Sequence, residues 1–354
     1  MSSVQVLIPC YNYGRYLPGA VDSALSQQGV TVKVTIIDDA SIDDSAAVAT
    51  RLAQLDSRIE VLRHATNKGH IATYNDGLAR VTADYMVLLS ADDLLTPGAL
   101  QRATNLMDAH PNVGLVYGHP VVFRDDQPLP PARTGGHSQT IWNGHDWLEQ
   151  MCRAGRNFIY CPEVVMRSSV QRRIGGYDPA LPHSGDMEMW MRAAVATDIG
   201  RINGADQAYY RLHGASMQRT VYSSALFDLG ARVAAFDAAL STPSPIDAAR
   251  LRRLAHRSVA LLALRDALRD LRCGTPMDRQ LDVDDYCAFA CELDPGIVAA
   301  PEWRALERLR ANGPSPFAAR TARLAESVRS RLTYRYWRRR GLEWPVTRAT
   351  STSI

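Results

Sequence analysis

The sequence predicts an α/β domain built on a parallel sheet, followed by an α-helical extension. Three observations carry that expectation. Short apolar strand patterns alternate with helix-spaced patterns through the first part of the chain. Those strand patterns are apolar nearly throughout, as in strands covered on both faces by helices. Beyond about Val221 the composition shifts to Ala, Leu and Arg at helical spacing.

Taken in order, Val4–Pro9 reads as the first strand, with a polar loop at Cys10–Arg15. Tyr16–Gln28 places Leu17, Ala20, Val21, Ala24 and Leu25 at helical spacing. Val32–Ile37 is a second strand that stops at Asp38-Asp39. Asp43–Leu55 follows as a helix that Ser41 or Asp43 would cap. Ile59–Arg63 and Ile71–Val81 repeat the alternation, and Tyr85–Leu89 is a fourth, fully apolar strand. Thr96-Pro97 starts another helix, because proline suits a first helical turn. Val113–Tyr117 is a strand, and Gln127–Gly136, rich in Pro and Gly, a surface loop. Trp142–Met151 is helical, Val164–Arg167 extended, and Met187–Val195 a helix entered through the turn Gly175–Pro179. Ala225–Leu240, Ala248–Leu271 and Asp285–Leu293 are the helices of the extension, with breaks at Ser241–Pro245 and Asn312–Pro316.

At 354 residues the chain exceeds the roughly 100–200 residues of one domain. Two units are expected, residues 1–220 and 221–354, the second ending in a basic tail. From Pro301 onward twelve arginines face four glutamates, a charge of +8 that leaves −5 for the rest of a chain totalling +3. Charge confined to one appendage argues against a nucleic-acid partner. The six cysteines show no C-x-x-C spacing and read as free thiols of a reducing compartment. No run approaches the ~18 apolar residues of a membrane span, and the first residues lack a signal-peptide pattern. A cytoplasmic location follows as an expectation. Within Ala318–Arg340, Leu324, Val328, Leu332 and Tyr336 recur every four residues among arginines. Two readings stay open for that stripe: peripheral contact with an anionic membrane face, or packing on its own domain.

Open α/β sheets bind ligands beyond the carboxyl ends of their strands, and this sequence is polar there. The first strand ends in Pro9-Cys10-Tyr11-Asn12, the second in Asp38-Asp39-Ala40-Ser41, the fourth in Ser90-Ala91-Asp92-Asp93. Acids gathered at separate strand ends repel unless a cation or a donor-rich ligand intervenes. A nucleoside diphosphate with a divalent metal supplies both. No G-x-G-x-x-G follows the first strand, which argues against a dinucleotide-binding dehydrogenase. The loop CYNYGRY is also a poor match to the Gly-rich loop of a nucleotidyltransferase.

Seven segments, in order and at matching spacing, resemble the family 2 glycosyltransferases of the GT-A fold, a bacterial-type, inverting family. They are VLIPCYN (6–12), IIDDASIDD (36–44), NKGHIATYNDGL (67–78), LLSADDLLTP (88–97), GGYDP (175–179), GDMEMWMR (185–192) and YYRLH (209–213). The resemblance covers about residues 3–215 and implies a Rossmann-like nucleotide-diphospho-sugar transferase domain. It implies a nucleoside-diphosphate sugar donor and transfer to an acceptor hydroxyl on a saccharide, a lipid-linked molecule or a small molecule. Cell-surface polysaccharide or glycoconjugate assembly is the corresponding role.

Residue by residue, the resemblance makes Pro9 and Tyr11 the wall against which the nucleobase stacks, with Asn12 and Ser41 beside it. Asp39 would accept a base N–H, while Asn67, Gly69 and Asn75 shape the nucleotide loop. Ser90–Asp93 stands at the DXD position, so Ala91 and Asp92 face the donor. Asp92, Asp93 and His213 are the candidate ligands for Mn²⁺ or Mg²⁺, hard ions that take oxygen ligands and substrate phosphates. Arg211 is placed at a phosphate. Asp186, opening the helix of GDMEMWMR, is the candidate base, although a carboxylate there is also a helix cap. Glu188 is the second candidate base, and Trp190 and Arg192 brace that helix. Ser90, Gly185 and Tyr74 depart from the family pattern, where Asp, Glu and Arg are usual. They keep open a non-catalytic, sugar-nucleotide-binding or scaffold role. Sugar, nucleotide, acceptor and oligomeric state are left open by the sequence.

Overall fold

A computed structural model of the chain describes residues 1–213, 224–241, 247–273, 281–313, 328–329 and 331–338. It divides into two compact units, Met1–Trp147 with Ile159–Gly214, and Leu148–Phe158 with Ala215–Ile354.

The first unit is built on an eight-stranded sheet. Its strands are β1 (Ser3–Cys10), β2 (Thr31–Asp38), β3 (Ile59–Arg63), β4 (Tyr85–Leu88), β6 (Val113–Tyr117), β8 (Ser138–Trp142), β9 (Val165–Arg167) and β10 (Asp198–Asn203), in the order β3-β2-β1-β4-β9-β6-β10-β8. The β1–β2, β2–β3 and β1–β4 pairs are parallel. The sheet is nevertheless mixed: β9 runs antiparallel between β4 and β6, and β8 antiparallel to β10. Purely apolar composition identifies burial on both faces, not direction, so the reversal at β9 was invisible in the sequence. A second sheet of three strands has the order β5-β11-β7, with β5 at Leu94–Leu95, β7 at Pro120–Arg124 and β11 at Ala208–Leu212.

From β1 the chain steps outward through β2 and β3, then returns to the opposite side of β1 as β4. That reversal opens a crevice beyond the carboxyl ends of β1 and β4, where open α/β sheets hold their ligands. Helices α1 (Leu17–Leu25), α2 (Ser45–Leu55), α3 (His70–Leu78) and α4 (Ala99–Ala109) make the crossovers of this half. On α1, Leu17, Ala20, Val21 and Ala24 are the buried face, and they join Val4, Val6, Ile8, Val34 and Val87 in one core. Helix α2 begins at Ser45 because the Asp43 carboxylate accepts the Ser45 N–H at 2.9 Å and ends the preceding loop, while Ser41 makes no cap. Helix α4 starts at Ala99 after a left-handed Gly98, two residues past Pro97. Thr96 is held outside it by donating its hydroxyl to the Asp206 carbonyl at 2.5 Å. Trp142 closes β8, so the next helix, α5 (Gly144–Ala154), starts two residues later than its spacing suggested. The short α6 (Ser168–Ile174) leads into α7 (Gly185–Ala196).

The second unit is helical in its described residues. Helices α8 (Ala225–Ala239), α10 (Val283–Leu293) and α11 (Pro301–Asn312) pack against the long α9 (Ala248–Cys273). Leu251, Ala255, Val259, Ala263 and Ala267, four apart, form the buried stripe of α9. Small alanines there let neighbouring helices approach closely. Asp282 caps α10, accepting N–H bonds from Asp284 and Asp285. Of the arginine-rich stripe, residues 318–327, 330 and 339–340 lie outside the described residues. Residues 331–338 are helical, Val328 and Leu332 are exposed, and Trp337 is buried with its indole N–H donated to the Phe158 carbonyl at 2.9 Å. No described helix is long and apolar enough to cross a membrane. Cys10, Cys152, Cys161, Cys287 and Cys291 are free thiols; the side chain of Cys273 lies outside the described residues.

Candidate active site

Two loops at the carboxyl ends of β1 and β2 are latched to each other. The Ser41 hydroxyl accepts the Asn12 N–H at 3.0 Å, and the Asn12 side-chain oxygen accepts the Ile42 N–H at 2.9 Å. Asn12 (φ 61°) and Ala40 (φ 57°) both occupy the left-handed region, which non-glycine residues enter only when their surroundings fix them. Asn12 and Ser41 are thus frame, shaping the rim around Pro9 and Tyr11. Tyr11 is 44% exposed at that rim, an uncovered aromatic face of the kind a base stacks on.

Asp39 is buried and receives three donors. His64 Nδ1 lies 2.7 Å and the Lys68 N–H 2.8 Å from Oδ1, and the Gly69 N–H lies 3.0 Å from Oδ2. Asn67 donates to the Asp39 carbonyl at 3.3 Å and accepts the Gly69 N–H at 3.0 Å. Gly69, at φ 81°, leads into α3, with open space where a Cβ would stand. Asn75, expected in this loop, is elsewhere: its side chain accepts the Tyr177 N–H at 2.7 Å and donates to the Tyr177 carbonyl at 2.9 Å. One helical turn and a half separates Gly69 from Asn75, enough to aim the latter at a different loop.

At the end of β4, Asp92 presents Oδ2 to Nε2 of His213 at 2.9 Å. Nδ1 of the buried His213 ring has no hydrogen-bond partner among the described residues. Asp93, expected as a second metal ligand, turns inward: it is 2% exposed and accepts the Arg211 N–H at 2.9 Å. Burial, then the neighbouring Asp92 charge, pushes its carboxyl well above the usual range. Adjacent residues on an extended turn point to opposite sides, so one acid faces the crevice while the other ties β11 to the turn. Ala91 lies in the core, which leaves only its backbone toward the crevice. Arg211, expected at a phosphate, is committed to the protein. Nε donates to the Asp92 carbonyl at 2.6 Å and Nη1 to Asp125 at 2.6 Å, while the guanidinium stacks on the Phe123 and Tyr16 rings. Its task is to fix the Asp92 turn.

No group of three metal-ligating side chains is assembled among the described residues. The donor set is a pair, one carboxylate oxygen and one imidazole nitrogen, and its 2.9 Å separation matches the edge of an octahedron with bonds of about 2.1 Å. Such a pair fits an ion that keeps water and phosphate oxygens as its other ligands.

Asp186 sits in the first turn of α7 and accepts the Tyr177 hydroxyl at 2.8 Å. The Cys161 thiol is also within hydrogen-bonding reach, and burial lifts the Asp186 carboxyl above its ordinary value against the pull of both donors and His70. Cys161 also faces the Leu88 carbonyl, at 3.4 Å, on β4. Burial, then the charges of Asp186, Cys161, Asp92 and Asp93, pushes the Tyr74 hydroxyl well above its ordinary value, so all of these groups lie within electrostatic range of it. Tyr74, in place of the family's usual Arg, packs edge-on against Tyr177 with ring centroids 5.3 Å apart. Gly185 is small for a related reason, since a Cβ there would come within 3.0 Å of the Tyr177 ring.

Glu188 is not available as a base. Both its oxygens pair with Arg192, at 2.6 and 2.7 Å, and Arg192 also donates to the carbonyls of Ile174 and Gly176. This ion pair bolts α7 to the loop that carries Tyr177. The side chains are 5% and 15% exposed, so removing one charge strands the other. Glu188→Ala should cost about 3 kcal/mol of stability, read as a lowered thermal midpoint. A cost under about 1 kcal/mol, the value of an exposed pair, would contradict that.

Against this geometry, residues 5–170 match the family model described as "Glycosyl transferase family 2". Residues 5–170 are a glycosyltransferase family 2 domain. An uncharacterized glycosyltransferase of Nostoc sp. is 27% identical over 229 residues, covering 62% of this chain and 68% of its own length. Across the first five curated relatives the matched length runs from 43% to 68% of theirs. Among solved structures, S. aureus TarS 1–349 in complex with UDP superimposes with a TM-score of 0.58 at 14% identity, over 94% of this chain and 91% of that one. The mannosyltransferase PcManGT of Pyrobaculum calidifontis, in complex with GDP-Man and Mn²⁺, gives 0.56 at 15% identity, over 95% and 82%. Likeness at such identities establishes the GT-A fold of the glycosyltransferase domain. Tyr177, Cys161 and His64 are the site residues that motif reasoning passed over. Tyr177 lay inside a recognised block but read as a turn residue; nothing in the sequence marked the other two.

Proposed function

We propose that this family 2 glycosyltransferase moves a sugar from a nucleoside-diphosphate sugar to an acceptor hydroxyl, with inversion and assisted by a divalent cation. The observation that supports this reading most is the link between Asp186 and the Asp92 turn: Cys161, within hydrogen-bonding reach of Asp186, lies 3.4 Å from the Leu88 carbonyl on the strand leading to Asp92, which in turn pairs with His213. Asp92 and His213 would hold Mn²⁺ or Mg²⁺, which supplies Lewis-acid neutralisation of charge on the leaving diphosphate. Tyr11 and Pro9 offer a stacking wall to the base, and Asp39 an acceptor for its N–H. Asp186, ionised and oriented by Tyr177, takes the acceptor's proton as the new bond forms. A saccharide, lipid-linked or small-molecule hydroxyl fits this scheme, in the assembly of cell-surface polysaccharide or glycoconjugates. Purified protein with Mn²⁺ should release nucleoside diphosphate from at least one donor in a panel of nucleotide sugars. Release from none of them would remove the reading.

The pH dependence follows from the Asp186 surroundings. The base works only when ionised, so activity falls as pH drops through its folded pKa, which burial has raised. The Tyr177 hydroxyl stabilises the ionised form. Tyr177→Phe should therefore raise that pKa further and move the acid limb of the kcat/KM profile to higher pH. An unmoved limb, or one displaced to lower pH, would contradict the assignment.

We also infer that the basic stripe of the second unit touches an anionic membrane face, supported by exposed Val328 and Leu332 among arginines. Truncation after Ala300 should reduce co-sedimentation with phosphatidylserine vesicles at low salt. Equal co-sedimentation of both forms would favour packing alone.

A further inference from the structure

Resting on the donor reading above, we infer that the nucleotide carries a base with one N–H on its pairing edge, uracil or thymine, and not guanine. The argument is a count of acceptor positions on Asp39. An ionised carboxylate accepts only, and offers about four positions. Three are occupied from within the protein: two on Oδ1, by His64 Nδ1 at 2.7 Å and the Lys68 N–H at 2.8 Å, and one on Oδ2, by the Gly69 N–H at 3.0 Å.

None of these donors is easily withdrawn. Two belong to the backbone entering α3, whose geometry Asn67 and the left-handed Gly69 fix. The third comes from the buried His64 ring, whose Nε2 lies 3.1 Å from the Asp76 carboxylate on α3. Lys68 pairs with that same carboxylate at 2.7 Å. Oδ1 is therefore saturated, and a single position remains, on Oδ2. Guanine presents N1–H and N2–H side by side, and a carboxylate that reads both uses its two oxygens, one for each. This Asp39 can take only one of the two, so guanine forfeits the bidentate contact and the second N–H gains nothing from Asp39 for its lost hydration. Uracil and thymine present N3–H alone and match the one position left.

The test needs no acceptor sugar. Calorimetric titration of the full chain with UDP, dTDP and GDP, each with excess Mn²⁺, should show UDP, dTDP or both binding at least ten times more tightly than GDP. N3-methyl-UDP, which lacks the N–H, should lose at least tenfold against UDP. GDP binding as tightly as UDP and dTDP, or N3-methyl-UDP binding like UDP, would overturn this inference while leaving the donor reading intact. Saturable binding by none of the nucleotides would remove both. His64→Phe keeps the ring's bulk and frees a position on Oδ1, so the gap between UDP and GDP should narrow. A folded variant with an unchanged ratio would refute the count, and the wild-type titrations decide the matter if the variant does not fold.

Discussion

Asp186→Asn is expected to slow sugar transfer by about three orders of magnitude, within the range ascribed to general-base catalysis, while nucleotide affinity stays within a factor of about two. Asparagine preserves the outline of the side chain and can still accept the Tyr177 hydroxyl now 2.8 Å from Oδ1. What it loses is the capacity to take a proton. The nucleotide-facing groups are separate from it: Asp39 is tied to the entry of α3, and Asp92 to His213. Parallel measurement of kcat and of the nucleoside-diphosphate Kd therefore separates a chemical role from a folding defect. A loss of tenfold or less in kcat would mean that Asp186 is a helix-start carboxylate and nothing more.

Asp92→Asn should weaken Mn²⁺-dependent nucleotide binding by at least about 100-fold, since loss of even an orienting partner at a metal site costs 10- to 100-fold. The neighbouring acid cannot take over. Asp93 is buried, its carboxyl held above the usual range, and its Oδ1 accepts from the Arg211 backbone. Arg211 would continue to grip the residue-92 carbonyl, so the turn itself should survive. The comparison is titration of the nucleotide with Mn²⁺ and with EDTA, in both proteins. Wild-type affinity that collapses in EDTA, beside variant affinity that is low in both, is the expected pattern. Affinity insensitive to EDTA in the wild type would show that the Asp92–His213 pair holds no cation.

The first half of the fold was legible because its strands are apolar from end to end and its crossovers carry clean helical spacing. The strands of the later half were not. The exception is β9, read as the extended run Val164–Arg167; β8 is largely exposed, and β10 and β11 contain arginines within their spans. Arg201 on β10 is 1% exposed, as are Asp206 and Gln207 beside β11. Burial of such residues is made tolerable by partners far away in sequence, for which the local pattern gives no sign. The candidate site divides in a similar way. Acids at strand ends mark a charged crevice, so Asp39, Asp92 and Asp186 could be named from their positions. Direction could not. Whether Asp93, Asn75 or Arg211 faces the crevice or the protein depends on a turn of one residue, and in this structure the side chains of all three bond to protein groups. Glu188, two residues along the same helix from Asp186, is sequestered by Arg192 for the same reason.

The reversed strand β9 has a further effect on how this enzyme is divided along its chain. A strand running against its neighbours begins where they finish, so the short turn Cys161–Glu163 arrives at the rim already formed by β1 and β4. The earlier residues carry Tyr11, Asp39 and Asp92 of the proposed donor site, whereas the later segment, entering against β4, leads on to Asp186 and His213. On the reading proposed above, exchanging the later segment between related proteins would carry the candidate base Asp186 and the cation partner His213 along with it, so a chimera would have to keep His213 matched to the Asp92 turn it pairs with.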